Sequence, residues 1–223
     1  MRLLKSIRFR YNHYKKQQNA KKVAKLKEEH NNYIGDFKTN PFTIISANCW
    51  GGSIYEDLNV PYQTPTIGLF FYAEDFLLFV NNLKYYIDSP LSFINTSKYK
   101  EANHFRAKKY AYPIGLLNND LEIHFLHYNS EDEARSKWER RCKRINWDNI
   151  YIACTDRDGM TYKLMQEYDK LPYNNKVLFT AKFYQNILSA VQLKPYQKQN
   201  VVGDLYNERY NVSPYFNIKK WLN

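Results

Sequence analysis

The segment TIISANCWGGSIY, residues 43–55, constrains the fold of this chain more than any other. An Ile-rich apolar run stops at Asn48-Cys49-Trp50-Gly51-Gly52-Ser53. That pattern reads as a buried strand, a glycine-loosened turn and the first turn of a helix. In open α/β sheets ligands bind at such corners, because strand ends and helix N-termini meet there. One spot thus gathers an amide, a thiol, an indole, a hydroxyl and bare backbone.

Apolar β-rich runs continue to alternate with amphipathic stretches. Residues 42–47, 66–72, 112–117, 121–128, 149–154 and 176–180 read as strands, with Asn118-Asn119-Asp120 as a hairpin turn. Residues 74–87, 162–171 and 184–191 read as helices. The helix after Ser130-Glu131-Asp132-Glu133, a capping box, carries Ala134, Trp138, Cys142 and Ile145 as its inward stripe. On a neighbouring face, Lys137, Arg140, Arg141 and Arg144 offer either a solvated surface or an anion site. Residues 91–111 carry no clear period. The expected fold is a three-layer α/β domain with a mainly parallel twisted sheet, helices on both faces and an antiparallel hairpin. Residues 1–32 form a basic arm, 33–191 the domain, and 192–223 a tail that packs back through Tyr215-Phe216 and Trp221-Leu222.

Charge belongs mainly to the arm. Residues 1–30 hold ten Lys and Arg against Glu28 and Glu29, whereas the rest of the chain holds 23 bases against 20 acids. A near-neutral body argues against nucleic acid as partner. Leu3, Leu4, Ile7, Tyr11 and Tyr14 recur at helical spacing among the bases, so the arm suits either an anionic membrane surface or packing on the domain. No run of about 18 uncharged apolar residues is present, and the first residues lack the apolar core of a secretory signal. Three scattered cysteines make neither a disulfide framework nor a zinc cage, and a bacterial cytoplasmic location with reduced thiols is expected. The 21 tyrosines accompany abundant Lys, Asn and Ile, as A/T-rich codons produce, and carry little functional weight.

Under a parallel layout, residues 48–53, 72–75 and 155–158 converge on one rim. Cys49 at a helix N-terminus is a candidate nucleophile with a lowered pKa; its alternative is an inert residue wedged beside Trp50. Asn48, Trp50, Gly51, Gly52 and Ser53 are candidate ligand contacts, although a tight turn explains the glycines equally well. Glu122 and His124 share a strand face and make a candidate acid/base pair, whereas His127 points to the opposite face and cannot share a metal with His124. Asp156 and Asp158 form a D-x-D after a strand, able to hold Mg²⁺ or Mn²⁺ against a diphosphate, or to serve as cap and ion-pair partner.

TIISANCWGGSIY, YQTPTIGLFF, YPIGLLNNDLEIHFLHY and KWERRCKRIN resemble an uncharacterised bacterial family often labelled exopolysaccharide biosynthesis proteins. The resemblance runs from about Pro41 to Thr180 and leaves the arm and tail outside. It implies an α/β domain associated with surface-glycan production and assigns no catalytic residue. Two functions follow as expectations. One is group transfer on a nucleotide-activated or lipid-linked sugar at the inner membrane face, with Trp50 stacking on the sugar. The other is non-catalytic binding of a glycan or partner in a polysaccharide assembly complex.

Overall fold

A computed structural model describes residues 2–34 and 37–223, with side chains from His13 onward. β1 (Thr43–Ser46), β5 (Ile150–Thr155), β6 (Lys176–Thr180) and β7 (Ala190–Gln192) form a parallel sheet in the order β1-β5-β6-β7. β2 (Leu91–Ile94), β3 (Ile114–Leu117) and β4 (Leu121–His124) form a separate antiparallel sheet. The fold is α/β, as the alternating pattern predicts.

Strand alternation divides the core in two. Ile45, Ile152, Cys154 and Leu178 face a cluster shared with α3 (Ala73–Asn81), α4 (Leu83–Asp88), α6 (Glu131–Cys142), α7 (Tyr162–Asp169) and the antiparallel sheet. Ile44, Tyr151, Ala153, Val177 and Phe179 face the other way. There they meet Trp50, Ile54 and Tyr55 of α2 (Trp50–Asp57), and Val202, Leu205, Val212, Ile218 and Leu222 of the tail. Successive strand residues point to opposite faces, so the near-continuous apolar runs fill both clusters at once.

α1 (Arg2–Ile34) is one long helix. Residues 13–22 are exposed, whereas Val23 and Leu26 are half-buried and His30 and Ile34 buried, an inward stripe at i, i+3, i+7 and i+11. His30 lies between Ser213 of the tail, at Nδ1, and Asp57 of α2, at Nε2 (2.8 Å); Arg209 Nε meets the other Asp57 oxygen at 2.8 Å. The stripe of Leu3, Leu4, Ile7 and Tyr11 lies outside the residues whose side chains are described, and Tyr14 is exposed.

Four expectations change. Residues 66–72 are not a strand but a strap: Pro65 and the left-handed Gly68 (φ +71) interrupt the ladder, and side chains replace it. Ser46 N donates to Thr66 Oγ1, Phe71 N to Ala47 O, and Phe70 pairs with His124, so the strap ties one sheet to the other. The helix over 74–87 breaks at Asn82 (φ −130) into α3 and α4. Residues 184–191 form turns leading into β7, because the Asp169 carboxylate takes the Leu188 and Ser189 N–H groups that a helix would use. The unassigned stretch 91–111 holds β2 and α5 (Lys100–Lys108). The hairpin turn stands as expected, with Asn118 and Asn119 both at positive φ, which asparagine tolerates.

Candidate functional site

The carboxyl ends of β1 and β5 open on one cleft of about 610 Å³. Asn48 joins the two strand ends: its Nδ2 donates to Thr155 Oγ1 (3.1 Å), while its Oδ1 accepts from Trp50 N (3.2 Å) and so starts α2. The strap contributes Phe70 and Tyr72, α5 contributes Glu101 and Phe105, and the tail contributes Asp204 and Tyr206. Arg157 and Asp158, in the turn after β5, complete the polar lining with Cys49 and His127. As the sequence implies, residues around 48, 72 and 157 meet at one rim.

Burial raises the carboxyls of Asp75, Asp156 and Asp158, and of these three Asp158 lines the cleft. It stands at φ +54, followed by Gly159 at φ +85, a sharp turn that projects the carboxyl into the cleft. The backbone C=O of Asp158 accepts from Ala73 N, but among the described residues its carboxylate has no hydrogen-bond partner. Burial raises its pKa above the ordinary 3.8, against the opposing pull of Arg157 and His124. Asp156 is different: Ala181 N (2.6 Å) and Val202 N (2.8 Å) each donate to one of its oxygens, and it lines no part of the cleft. The D-x-D therefore divides, with Asp156 fastening β6 and the tail and Asp158 facing ligand space. Among the described residues no group of three or more His, Cys, Asp or Glu is placed to hold a metal ion.

Trp50 borders the cleft but offers it almost no surface. Only 1% exposed, it packs edge-on against Phe179 (4.7 Å between ring centroids) and beside Phe216 and Trp221. Gly51, Gly52 and Ser53 lie inside α2 and are buried. A Cβ on Gly51 would sit 2.7 Å from the Ser46 Cβ, so this glycine lets α2 rest on β1 rather than cradle a phosphate. Ser53 Oγ donates to Trp50 O. The aromatic faces at the cleft come instead from Phe70, Tyr72, Phe105 and Tyr206.

Cys49 does line the cleft, but its acidity runs opposite to expectation. Burial, with Asp204 nearby, pushes the thiol up to about 11, and its S–H faces Leu69 O at 3.8 Å. Desolvation here outweighs any help from the N-terminus of α2. At pH 7.5 fewer than about one thiol in a thousand would be ionised. Iodoacetamide labelling followed by peptide mapping should accordingly find Cys49 slow at neutral pH, its rate still climbing toward pH 11. A rate that levels off near pH 7 would restore the thiolate reading.

Glu122 and His124 meet on one face as expected, with Oε2 and Nε2 3.5 Å apart. Both are buried behind the cleft wall. Burial alone would raise the Glu122 carboxyl; His124, Ser97 Oγ (2.5 Å) and Lys98 N (2.7 Å) together hold it below its ordinary value. His124 stacks under Phe70 (4.7 Å) and bonds Tyr112 OH through Nδ1 (3.2 Å), so it reaches the cleft only through that phenol. β4 stops at His124, and the turn that follows sends the exposed His127 to the cleft. His127 does not keep the strand's facing, because period 2 ends with β4. On α6, Arg141 donates to Tyr128 OH (2.6 Å) and Lys137 pairs with Glu133, and in the turn after it Arg144 reaches Tyr62 O; much of that basic cluster serves internal bonds.

Sequence reasoning missed Glu101, Asp204 and Tyr206 as cleft residues. Arg157 and Tyr72 lie in the segments 155–158 and 72–75 expected at the rim. Glu101 lies in a stretch without periodicity, and Asp204 and Tyr206 come from the irregular tail; nothing local marks them.

A parallel sheet whose carboxyl edge opens on a cleft with aromatic walls, one arginine and an acid without a hydrogen-bond partner among the described residues makes this an α/β protein with a candidate cleft at the strand ends. The chain belongs to the family described as "Domain of unknown function (DUF1919)", whose profile matches residues 21–223. It is similar to an uncharacterized protein of Haemophilus influenzae, with 43% identity over 185 residues, covering 81% of this chain and 84% of that protein. The family match takes in the tail and the second half of α1, beyond the Pro41–Thr180 span of the resemblance.

Proposed function

We propose that this protein is a group-transfer enzyme acting on an activated or lipid-linked sugar in the making of a bacterial surface polysaccharide. One observation carries the reading: Asp158, a cleft-facing carboxyl with no hydrogen-bond partner among the described residues and a raised pKa. A carboxyl so placed exchanges a proton closer to neutral pH than an ordinary aspartate, as a general base requires. On this reading Asp158 takes the proton of an acceptor hydroxyl as that oxygen attacks the transferred group, and the leaving group departs with the bonding pair. Arg157, with Nη1 held by Gly203 O at 3.1 Å, keeps donors free for a phosphate of the leaving group. Tyr72, braced against Tyr99 at 3.8 Å between ring centroids, and Phe70 offer ring faces to a sugar in place of Trp50.

Thermal shift of the full chain against nucleotide sugars, with and without Mn²⁺, tests it. Ligand at about a hundred times its Kd adds about 2.7 kcal/mol, or roughly 5–11 °C for a chain of this size. A hit that depends on Mn²⁺ adds a metal to the reading. A hit without turnover leaves the non-catalytic glycan-binding alternative, and no shift with any sugar nucleotide or glycan removes both.

A further inference from the structure

We propose that the outward face of α5 docks on an anionic lipid surface, so that the cleft opens toward the membrane. Lys100, His104 and Lys108 stack on that face at i, i+4 and i+8, with Phe105 and Lys109 in the adjacent column. All are exposed, and among the described residues none of the three lysines has an acidic partner. Lys100 and Lys108 lie two turns apart on this face with Lys109 beside the latter, and Glu101 is the one acid that α5 itself carries. Such a column is relieved by an external anion.

The aromatic residues decide which kind of anion. Phe105 (39% exposed) and Tyr110 (47%) project among the lysines and pack edge to face, 5.7 Å between centroids at 76°. An apolar ring and a phenol among ammonium groups match the headgroup boundary of a bilayer, where aromatic bodies enter the acyl edge and lysines meet phosphate. A nucleic acid would ask for open ring faces on which bases stack, whereas here the two rings are turned on each other. Phe105 also lines the cleft, which places its mouth beside the docked face. The docking holds whether the cleft transfers or only binds, so its failure would leave the proposed reaction untouched.

The test uses full-length protein with vesicles of equal parts phosphatidylglycerol and phosphatidylcholine, against phosphatidylcholine alone. The unaltered chain should pellet only with the anionic vesicles and be released by salt. Reversing Lys100, Lys108 and Lys109 to Glu should weaken partitioning by about a hundredfold, at about fivefold or more per residue. Phe105→Trp should be quenched by brominated lipid, and Leu188→Trp, on an exposed turn elsewhere, should not. Pelleting without quenching at position 105 would assign the membrane contact to α1 and overturn the proposal. So would absence of pelleting, or a triple variant that keeps its membrane partition but loses a labelled oligonucleotide.

Discussion

Trp50→Ala should lower stability by about 3–5 kcal/mol, the usual cost of emptying a large aromatic site in a packed core. For a chain of this length that is a fall in Tm of roughly 6–20 °C. The expectation rests on the indole's place beneath Phe179, Phe216 and Trp221, where α2, the sheet and the tail converge. Trp50→Phe should cost far less, about 1 kcal/mol, because Trp50 Nε1 is buried without a partner among the described residues and its loss offsets part of the lost contact. Urea denaturation of both variants checks the pair. Were Trp50 instead a sugar platform, Trp50→Ala would leave the denaturation midpoint in place and abolish ligand binding alone.

Asp158→Asn should stabilise the fold and disable the site at once. Asparagine accepts the left-handed backbone of position 158 as readily as aspartate does, so the change removes only the charge. The folded carboxyl titrates above its ordinary 3.8, so the wild-type native state binds more protons than the unfolded chain through that window. Its stability contribution is therefore complete below about pH 4 and is lost as pH rises through the folded value. The variant should gain about 1 kcal/mol, or roughly 2–4 °C in Tm, at pH 7, and nothing near pH 3. On a substrate found by thermal shift, turnover should fall about 10²–10⁴-fold, the ordinary loss for a general base. Activity retained in full would take Asp158 out of the reaction.

Much of this architecture is written locally. The Ser130 cap, bonded to Glu133 N at 3.1 Å, the Asn118-Asn119 turn and the alternation in Ile44 and Ile45 all follow from near neighbours in the chain. The strand-turn-helix corner at residues 43–55 correctly marks where a cleft forms. It misleads on which of its side chains reach the cleft, because that depends on what covers each face. Trp50 is claimed by Phe216 and Trp221, more than 160 residues away, and Asp156 by Val202 N. Cys49 loses its acidity to burial under residues the corner cannot foresee. The error at 184–191 has the same origin: a carboxylate at Asp169 outbids a helical period.

The contact of α1 and the segment just after it with residues 209–222 also sets the order in which this molecule can come into being. His30 meets Ser213, Tyr33 OH meets Asn217, and Thr39 Oγ1 meets Leu222 O, each across more than 180 positions. During synthesis the cluster around Ile44, Trp50 and Phe179 stays open to water until the stretch that supplies Val212, Ile218 and Leu222 has left the ribosome. One half of the core can thus close before residues 202–222 have emerged, and the other only after them. Such late, long-range closure carries a large loop entropy, which favours slow folding and leaves an apolar face exposed to chaperones in the interval.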